Sequence, residues 1–193
     1  MKKTVIAVMI LMCSCTLAQV KVEVLSERTA LENQVLGTYN SLDNEMLLVA
    51  SVRGVDSDGR IRKPQQHSQE YKDTMTSMQI LAFHADDIQA FKQLGWTGEN
   101  KQGLLTTFPM KKKGVSEGLE EFAARYKQEE FNAVISQVNQ AREAIMRRVI
   151  DMNENLAENN LQEVRSIFWK LNIENALPGE KIQAQDNKWT VKQ

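Results

Sequence analysis

An apolar stripe at helical spacing runs through the second half of the chain. Its members recur at steps of three and four residues: Phe131, Val134, Val138, Ala141, Ile145, Val149, Met152 and Leu156. Steps of this size place the side chains on one face of a helix, and near-heptad spacing packs that face against other helices at a shallow angle. The sequence therefore predicts a long helix in a bundle, within a helical region that opens near Ser116.

Two earlier segments carry the same periodicity. Thr29 and Glu32 have the spacing of a capping box, in which each side chain bonds a backbone N–H at the start of a helix. They predict a first helix of roughly 24 residues that ends at Gly54. A second helix is predicted to begin near Ser68 and to end before Gly95. Its apolar face comprises Tyr71, Met75, Met78, Leu81, Ala85, Ile88 and Phe91.

The C-terminal part changes from a helical pattern to a strand pattern. Asn160 with Glu163 predicts the start of a further helix, and the Pro178-Gly179 pair ends it. The residues from Lys181 to Val191 then predict a small hairpin with the Asp186-Asn187 pair at its turn. Because an isolated hairpin is marginally stable in water, we expect it to pack on the helices.

Two more segments have no helical period, one near the N-terminus and one in the middle of the chain. The segment from Gln19 to Val24 alternates between apolar and polar residues, which predicts a short strand with one face to bury. We take this strand as a hypothetical third partner of the C-terminal hairpin. The segment from Gly95 to Gly114 is rich in Gly, Thr and Lys and has no regular period, so we expect an irregular connection there.

The composition supports a mainly helical fold and reduces the classes of partner that we expect. Hydrophobic residues make up 42% of the 193 residues and charged residues 25%, so the chain can bury a real core. The net charge of −1 gives no reason to expect a nucleic acid partner. The predicted fold class is mainly α, a bundle of about four helices with a short N-terminal strand and a small C-terminal β-hairpin. We predict a leader over residues 1–18, an N-terminal helical hairpin over 19–94 and a second domain over 95–193.

The first residues have the pattern of a secretory leader. Lys2 and Lys3 form a basic start, and an uncharged apolar run follows from Thr4 to Met12. This run is too short to span a membrane as a helix and has no stop-transfer flank. The leader therefore predicts export to the periplasm.

Two cleavage sites fit the leader. Ser14 followed by Cys15 resembles a lipoprotein signal with Cys15 as the acylated residue, whereas Ala18 fits ordinary cleavage. The mature protein is then either anchored to the outer membrane by a lipid or soluble in the periplasm. In both cases it has no disulfide pair, because both cysteines lie in or beside the leader.

Few residues offer catalytic or metal-binding chemistry. His67 lies in a predicted loop, and His84 lies on the apolar face of the second helix, where we expect a partly buried structural residue. Asp86 and Asp87 are close to His84, but no second pair of residues has metal-ligand spacing. The chain also lacks a Gly-x-Ser-x-Gly elbow and a phosphate loop. The sequence therefore predicts a protein with no enzymatic activity, no metal and no cofactor.

Three motifs follow one another in the second half of the chain. The first is a glycine-rich opening around a glutamate, the second an asparagine followed three residues later by an arginine, and the third a C-terminal signature. Their residues are Gly95, Gly98, Glu99 and Gly103; Asn139 and Arg142; and Pro178, Gly179, Glu180 and Trp189. In order and rough spacing they resemble the YdbL family of periplasmic proteins, from about residue 91 to the C-terminus.

The resemblance implies a function and a partner. Family members are small periplasmic proteins associated with a large AsmA-like inter-membrane protein in outer-membrane lipid homeostasis. The resemblance therefore implies a non-enzymatic accessory protein of the cell envelope that binds a protein partner, with membrane contact only through the lipid anchor at Cys15. A periplasmic carrier of lipid or another small ligand is the alternative. The chain departs from the family in the residues from Val20 to Ala90, which precede the shared part, and in Cys15 itself.

Two of the motif residues also suggest a direct contact. We predict that Arg142 on the long helix binds Glu99 and so holds the glycine-rich segment against the helix. A partly buried bidentate pair of this kind costs about 3 kcal/mol or more when one partner is removed. The alternative is that Arg142 binds its neighbour Glu143 or water.

Overall fold

The computed structural model describes residues 28–51, 68–115 and 117–193, with only the backbone described over 48–51. Most of these residues are helical, which confirms the predicted mainly α class. The elements are α1 (Ala30–Ser51), α2 (Gln69–Phe83), α3 (Ala85–Gln93), β1 (Thr97–Glu99), β2 (Leu105–Thr107), α4 (Glu120–Arg125), α5 (Gln128–Asp151), a 3₁₀ turn (Glu158–Asn160), α6 (Leu161–Asn175), β3 (Lys181–Gln183) and β4 (Trp189–Val191). The leader, Cys15, the predicted strand Val20–Val24 and His67 lie outside the described residues.

The long helix α5 lies at the centre of the fold because its apolar stripe serves two cores. Toward its C-terminal end, Ile145 and Val149 join residues of α1, α2 and α6 in a helical core. Toward its N-terminal end, Phe131 joins an aromatic core with Phe91 and Trp96, and the Phe91 and Phe131 rings meet edge to face at 4.9 Å. Each core contains residues from both sides of residue 94, which is the predicted boundary between the N-terminal helical hairpin and the second domain.

The apolar stripe predicted for α5 is confirmed over most of the helix, but the prediction is wrong at the C-terminal end. Met152 was expected in the core but is 38% exposed, because α5 ends at Asp151 and Met152 is its C-terminal cap. A straight helix has 3.6 residues per turn, whereas a heptad repeat corresponds to 3.5. The buried face therefore rotates gradually around the helix, away from the residues of the heptad pattern. This drift brings Ile135, Met146 and Ile150 into the cores as well.

The predicted helix starts are present, although Asn160 makes no side-chain cap for α6. Two of the predicted helices are each divided in two. The Thr29 N–H donates to Glu32 Oε2 at 2.7 Å, and the Glu32 N–H donates to Thr29 Oγ1 at 3.1 Å, which confirms the capping box. Ser68 caps α2 as predicted. The second predicted helix breaks at His84, and the third breaks at Tyr126, whose backbone is extended. There are therefore six α-helices in the described ranges instead of about four.

The four short strands form one mixed sheet with the order β2-β1-β3-β4. The C-terminal hairpin of β3 and β4 is confirmed, with Asn187 at its turn in the left-handed region at φ 67°. The expectation of an irregular segment from Gly95 to Gly114 is wrong in part, because β1 and β2 form a second hairpin there. β1 pairs in parallel with β3 and joins the two hairpins. Strands of three residues are too short to show a period of two in the sequence.

The central position of α5 predicts a large effect of Ile145→Ala, which removes a side chain that is 1% exposed. We expect a loss of about 2–5 kcal/mol in the free energy of unfolding, measured by chemical denaturation. Gln140→Ala, at an exposed position of the same helix, is the matched control and should change it by less than about 0.5 kcal/mol. Equal effects of the two substitutions would contradict the packing described for α5.

Candidate functional site

A buried ion pair joins the sheet to the long helix. Glu99 in β1 is 1% exposed, and both of its carboxylate oxygens bind Arg142 of α5. Arg142 Nη1 donates to Oε2 at 2.6 Å and Arg142 Nη2 donates to Oε1 at 3.1 Å, which is the bidentate geometry of a strong pair. The predicted contact is therefore present. Glu143, the alternative partner of Arg142, binds Arg165 instead.

Two residues that the sequence analysis did not identify complete the surroundings of Glu99. Lys92, in the last turn of α3, places its Nζ 2.6 Å from Glu99 Oε1, and Asn172 Nδ2 of α6 donates to Oε2 at 3.1 Å. Burial by itself raises the pKa of Glu99, but the charges and hydrogen bonds of Arg142 and Lys92 outweigh it and hold this pKa below its usual range. The carboxylate thus connects β1 with three helices.

The other motif residues of α5 and the β1–β2 turn bind backbone. The Leu105 N–H donates to Asn139 Oδ1 at 2.8 Å, and Asn139 Nδ2 donates to the Leu105 carbonyl at 2.9 Å. Asn139 thus satisfies the outward-facing backbone groups of Leu105 in β2 as a neighbouring strand would. The carbonyl of Gly103 accepts hydrogen bonds from Arg142 and Asn172. Gly103 itself has φ +69°, and a Cβ there would lie 3.0 Å from Phe168 Cβ.

The remaining motif residues lie around the C-terminal hairpin. Gly98 in β1 permits close strand contact, because a Cβ at this position would lie 2.6 Å from the Lys181 carbonyl and 2.9 Å from the Trp189 ring. Glu180 is 2% exposed and accepts a hydrogen bond from Gln89 Nε2 at 2.7 Å. Gly95 lies in the turn after α3, and Pro178 and Gly179 form the turn before β3. The motif residues therefore build the junction between sheet and helices.

A second polar network lies at the break between α2 and α3. His84 is buried, as expected, with Nδ1 3.3 Å from Asp87 Oδ2 and Nε2 3.0 Å from Gln137 Oε1. The Tyr126 hydroxyl donates to the other oxygen of Asp87. Burial first, and then the hydrogen bond to Asp87, raises the pKa of Tyr126 to about 12. The hydrogen bond to Asp87 thus holds Tyr126 against α3. Across the described ranges, no cluster of three metal-ligating residues is found.

The sheet ends in an open edge at β4. Thr190 faces Ile182 of β3 in the hydrogen-bonded register, because the neighbouring pairs 180–192 and 184–188 are joined by backbone hydrogen bonds. The N–H and C=O groups of Trp189 and Val191 therefore point away from β3. Within the part of the chain that the structure describes, these groups have no hydrogen-bond partner.

An open groove of about 610 Å³ lies where the chain enters β3. Leu119, Leu177 and Pro178 contribute apolar side chains to its lining, and Leu177 is 48% exposed. The N–H of Gly179, which also lines the groove, donates to the Lys192 carbonyl at 2.9 Å, and Lys192 directly follows β4. This hydrogen bond connects the groove to the end of β4. We refer to β4 and these groove residues together as the β4 edge site.

Comparisons of the chain with protein-family models, curated proteins and solved structures found no match. None of the helices within residues 28–51, 68–115 and 117–193 has the length and apolar character needed to cross a membrane.

The buried ion pair predicts a large cost for Arg142→Ala, which leaves the Glu99 carboxylate buried with only part of its charge compensated. We expect a loss of about 3 kcal/mol or more in the free energy of unfolding, measured by urea denaturation. Arg147→Ala is the matched control on the same helix, because Arg147 forms only exposed pairs with Glu143 and Glu158. Its cost should stay below about 1 kcal/mol. A small effect of Arg142→Ala would show that the pair does not stabilise the fold.

The lowered pKa of Glu99 predicts how stability depends on pH. A carboxyl group with a lower pKa in the folded state contributes stability above its unfolded pKa, for which 4.5 is the reference value. This contribution is lost as the pH falls through the folded pKa. We therefore expect the denaturation midpoint of the wild type to decrease below pH 4.5, and to decrease less in Glu99→Gln, which cannot titrate at this position. Parallel pH profiles of the two proteins would contradict the assignment.

Proposed function

We propose that this protein is a non-enzymatic accessory protein of the cell envelope that binds an extended segment of a partner protein along β4. The observation that carries the proposal is the open edge of β4, where the backbone groups of Trp189 and Val191 face outward. An edge strand with free N–H and C=O groups binds an extended peptide by adding it to the sheet as a further strand.

The surroundings of the edge supply the side-chain contacts that such binding needs. Val191 is 45% exposed on β4, and Leu119 and Leu177 line the adjoining groove. In strand addition, main-chain hydrogen bonds provide affinity, and pockets for side chains of the added strand provide specificity. The β4 edge site offers main-chain groups at Trp189 and Val191, and apolar side chains at Val191, Leu119 and Leu177.

The charge next to β4 favours a different protein as partner over a second copy of this chain. The exposed Lys188 next to β4 disfavours pairing with an identical edge, because a charged residue at an edge limits edge-to-edge association.

The buried carboxylates support a binding function over catalysis. Glu99 is held by Arg142, Lys92 and Asn172, and Glu180 by Gln89. An acid or base in catalysis must reach a substrate proton, whereas both of these groups are buried among fixed partners.

The compartment and the partner in this proposal come from the sequence. The predicted leader supports a location in the periplasm, either soluble or anchored to the outer membrane through Cys15. The resemblance to the YdbL family supports an AsmA-like inter-membrane protein as the partner and outer-membrane lipid homeostasis as the process.

The test of this proposal is photo-crosslinking in intact cells that produce the full chain. A benzophenone amino acid at Thr190, which is exposed in β4, should give one defined protein adduct. The same amino acid at Gln140, which is exposed on α5, should not give this adduct. Mass spectrometry identifies the partner, and a lipid adduct at Thr190 would support the alternative of a carrier.

A backbone variant tests whether the edge itself binds the partner. Val191→Pro removes an N–H that points away from β3, so the hairpin is retained while strand addition is blocked. We expect the adduct at Thr190 to be lost in Val191→Pro and retained in the control Val191→Thr. An unchanged adduct in the proline variant would contradict binding along β4.

A further inference from the structure

Charged and apolar side chains lie on opposite faces of β4. Successive residues of a strand point to opposite faces, so Lys188, Thr190 and Lys192 share one face and Trp189 and Val191 share the other. Backbone hydrogen bonds to the residues that flank β3 continue at both lysines and keep them in line with the strand. We propose that the partner segment bound along β4 alternates acidic and apolar residues, with its acidic side chains on the face of the two lysines. The pattern rests on the proposed function and specifies the chemical class of partner at the same site.

Lys188 presents its charge to solvent at the start of the edge. Its side chain is 83% exposed, and its Nζ lies 2.9 Å from Asp186 Oδ2. Exposed ion pairs contribute little in water. A carboxylate of an added strand can therefore replace Asp186 as the partner of Lys188.

Lys192 provides a second positive charge at the other end of the edge. Its Nζ donates to the carbonyl of Ile173 at 3.0 Å, in the last turn of α6. The adjacent Glu174 pairs with Arg28 instead, and no carboxylate in the described ranges forms an ion pair with Lys192. The charge of Lys192 is thus compensated only by the C-terminal end of a helix.

The opposite face of β4 offers an apolar contact. The Trp189 ring lies across the sheet, because Gly98 has no Cβ to exclude it, and Phe108 meets it edge to face at 4.9 Å. Val191 is 45% exposed. On this face, Val191 is therefore the apolar side chain that an added strand can cover.

The backbone geometry brings the side chains of an added strand close to the lysines. The N–H and C=O groups of Lys188, Thr190 and Lys192 point toward β3. In an antiparallel addition, the residues opposite them form non-hydrogen-bonded pairs, in which side chains approach most closely. Opposite charges at facing positions attract and like charges repel. A parallel addition preserves the pattern, because alternation reads the same in both directions of a strand.

NMR titrations of the full exported protein with synthetic heptapeptides test the pattern. The peptides alternate valine with glutamate, serine or lysine. The Trp189 and Val191 amides report strand addition, because their N–H groups point away from β3. We expect the glutamate peptide to bind about tenfold more tightly than the lysine peptide, with the serine peptide between them. High salt should reduce this difference, because it screens exposed charges.

Two substitutions in the hairpin locate the charge effect. Lys188→Gln should weaken binding of the glutamate peptide about two- to fivefold and leave the serine peptide unchanged. Asp186→Asn should tighten binding of the glutamate peptide, because it frees Lys188 and still offers an oxygen to the Lys188 N–H. Lys72→Gln, at an exposed position of α2, removes the same charge from another element and is the matched control, with no change expected.

The amide shifts separate this inference from the proposed function. Equal affinities of the three peptides, or tightest binding of the lysine peptide, with shifts at Trp189 and Val191, overturn the acidic pattern and leave strand addition in place. Shifts confined to Lys188 and Lys192 show charge attraction without pairing and overturn both proposals. The absence of any shift in β4 at peptide concentrations on the order of millimolar contradicts binding along β4 and with it the proposed function.

Discussion

The contact on which the rest of the structure depends is the buried pair of Glu99 and Arg142. A carboxylate with 1% exposure is stable only when its charge is compensated, and three helices contribute the compensating groups. This requirement fixes β1 against α5, and β1 in turn pairs with β2 and β3. A sheet of three-residue strands thereby acquires a rigid position on the helices, which its own few hydrogen bonds would not provide.

The same arrangement limits where function can reside. The motif residues are engaged with one another and with backbone groups, as Asn139 and Gly103 show at the start of β2. Buried groups with satisfied hydrogen bonds stabilise a fold and have little left to offer a ligand. The free hydrogen-bonding capacity described above lies at β4, at the far end of the sheet from Asn139. The site proposed at β4 is connected to this ion pair through β3 and β1, without being part of the core.

Stability and the proposed recognition depend on different parts of the fold. The long helix α5 supplies packing to both cores. Recognition through a strand edge requires little further structure, because main-chain groups are the same in every partner. In the proposed mode of binding, specificity comes from side-chain contacts such as those of Leu119 and Leu177 in the groove.

The sequence by itself determined most of the helical regions, the capping box of Thr29 and Glu32, the C-terminal hairpin and the candidate pair of Glu99 and Arg142, because local periodicity, capping spacing and charge are properties of the chain alone. It gave no sign of the breaks at His84 and Tyr126 or of the β1–β2 hairpin. Tertiary packing decided these features, since strands of three residues form only where a neighbouring strand and a helix satisfy them. The open edge of β4 was also decided by the tertiary structure, because the order of strands in a sheet is set by long-range pairing.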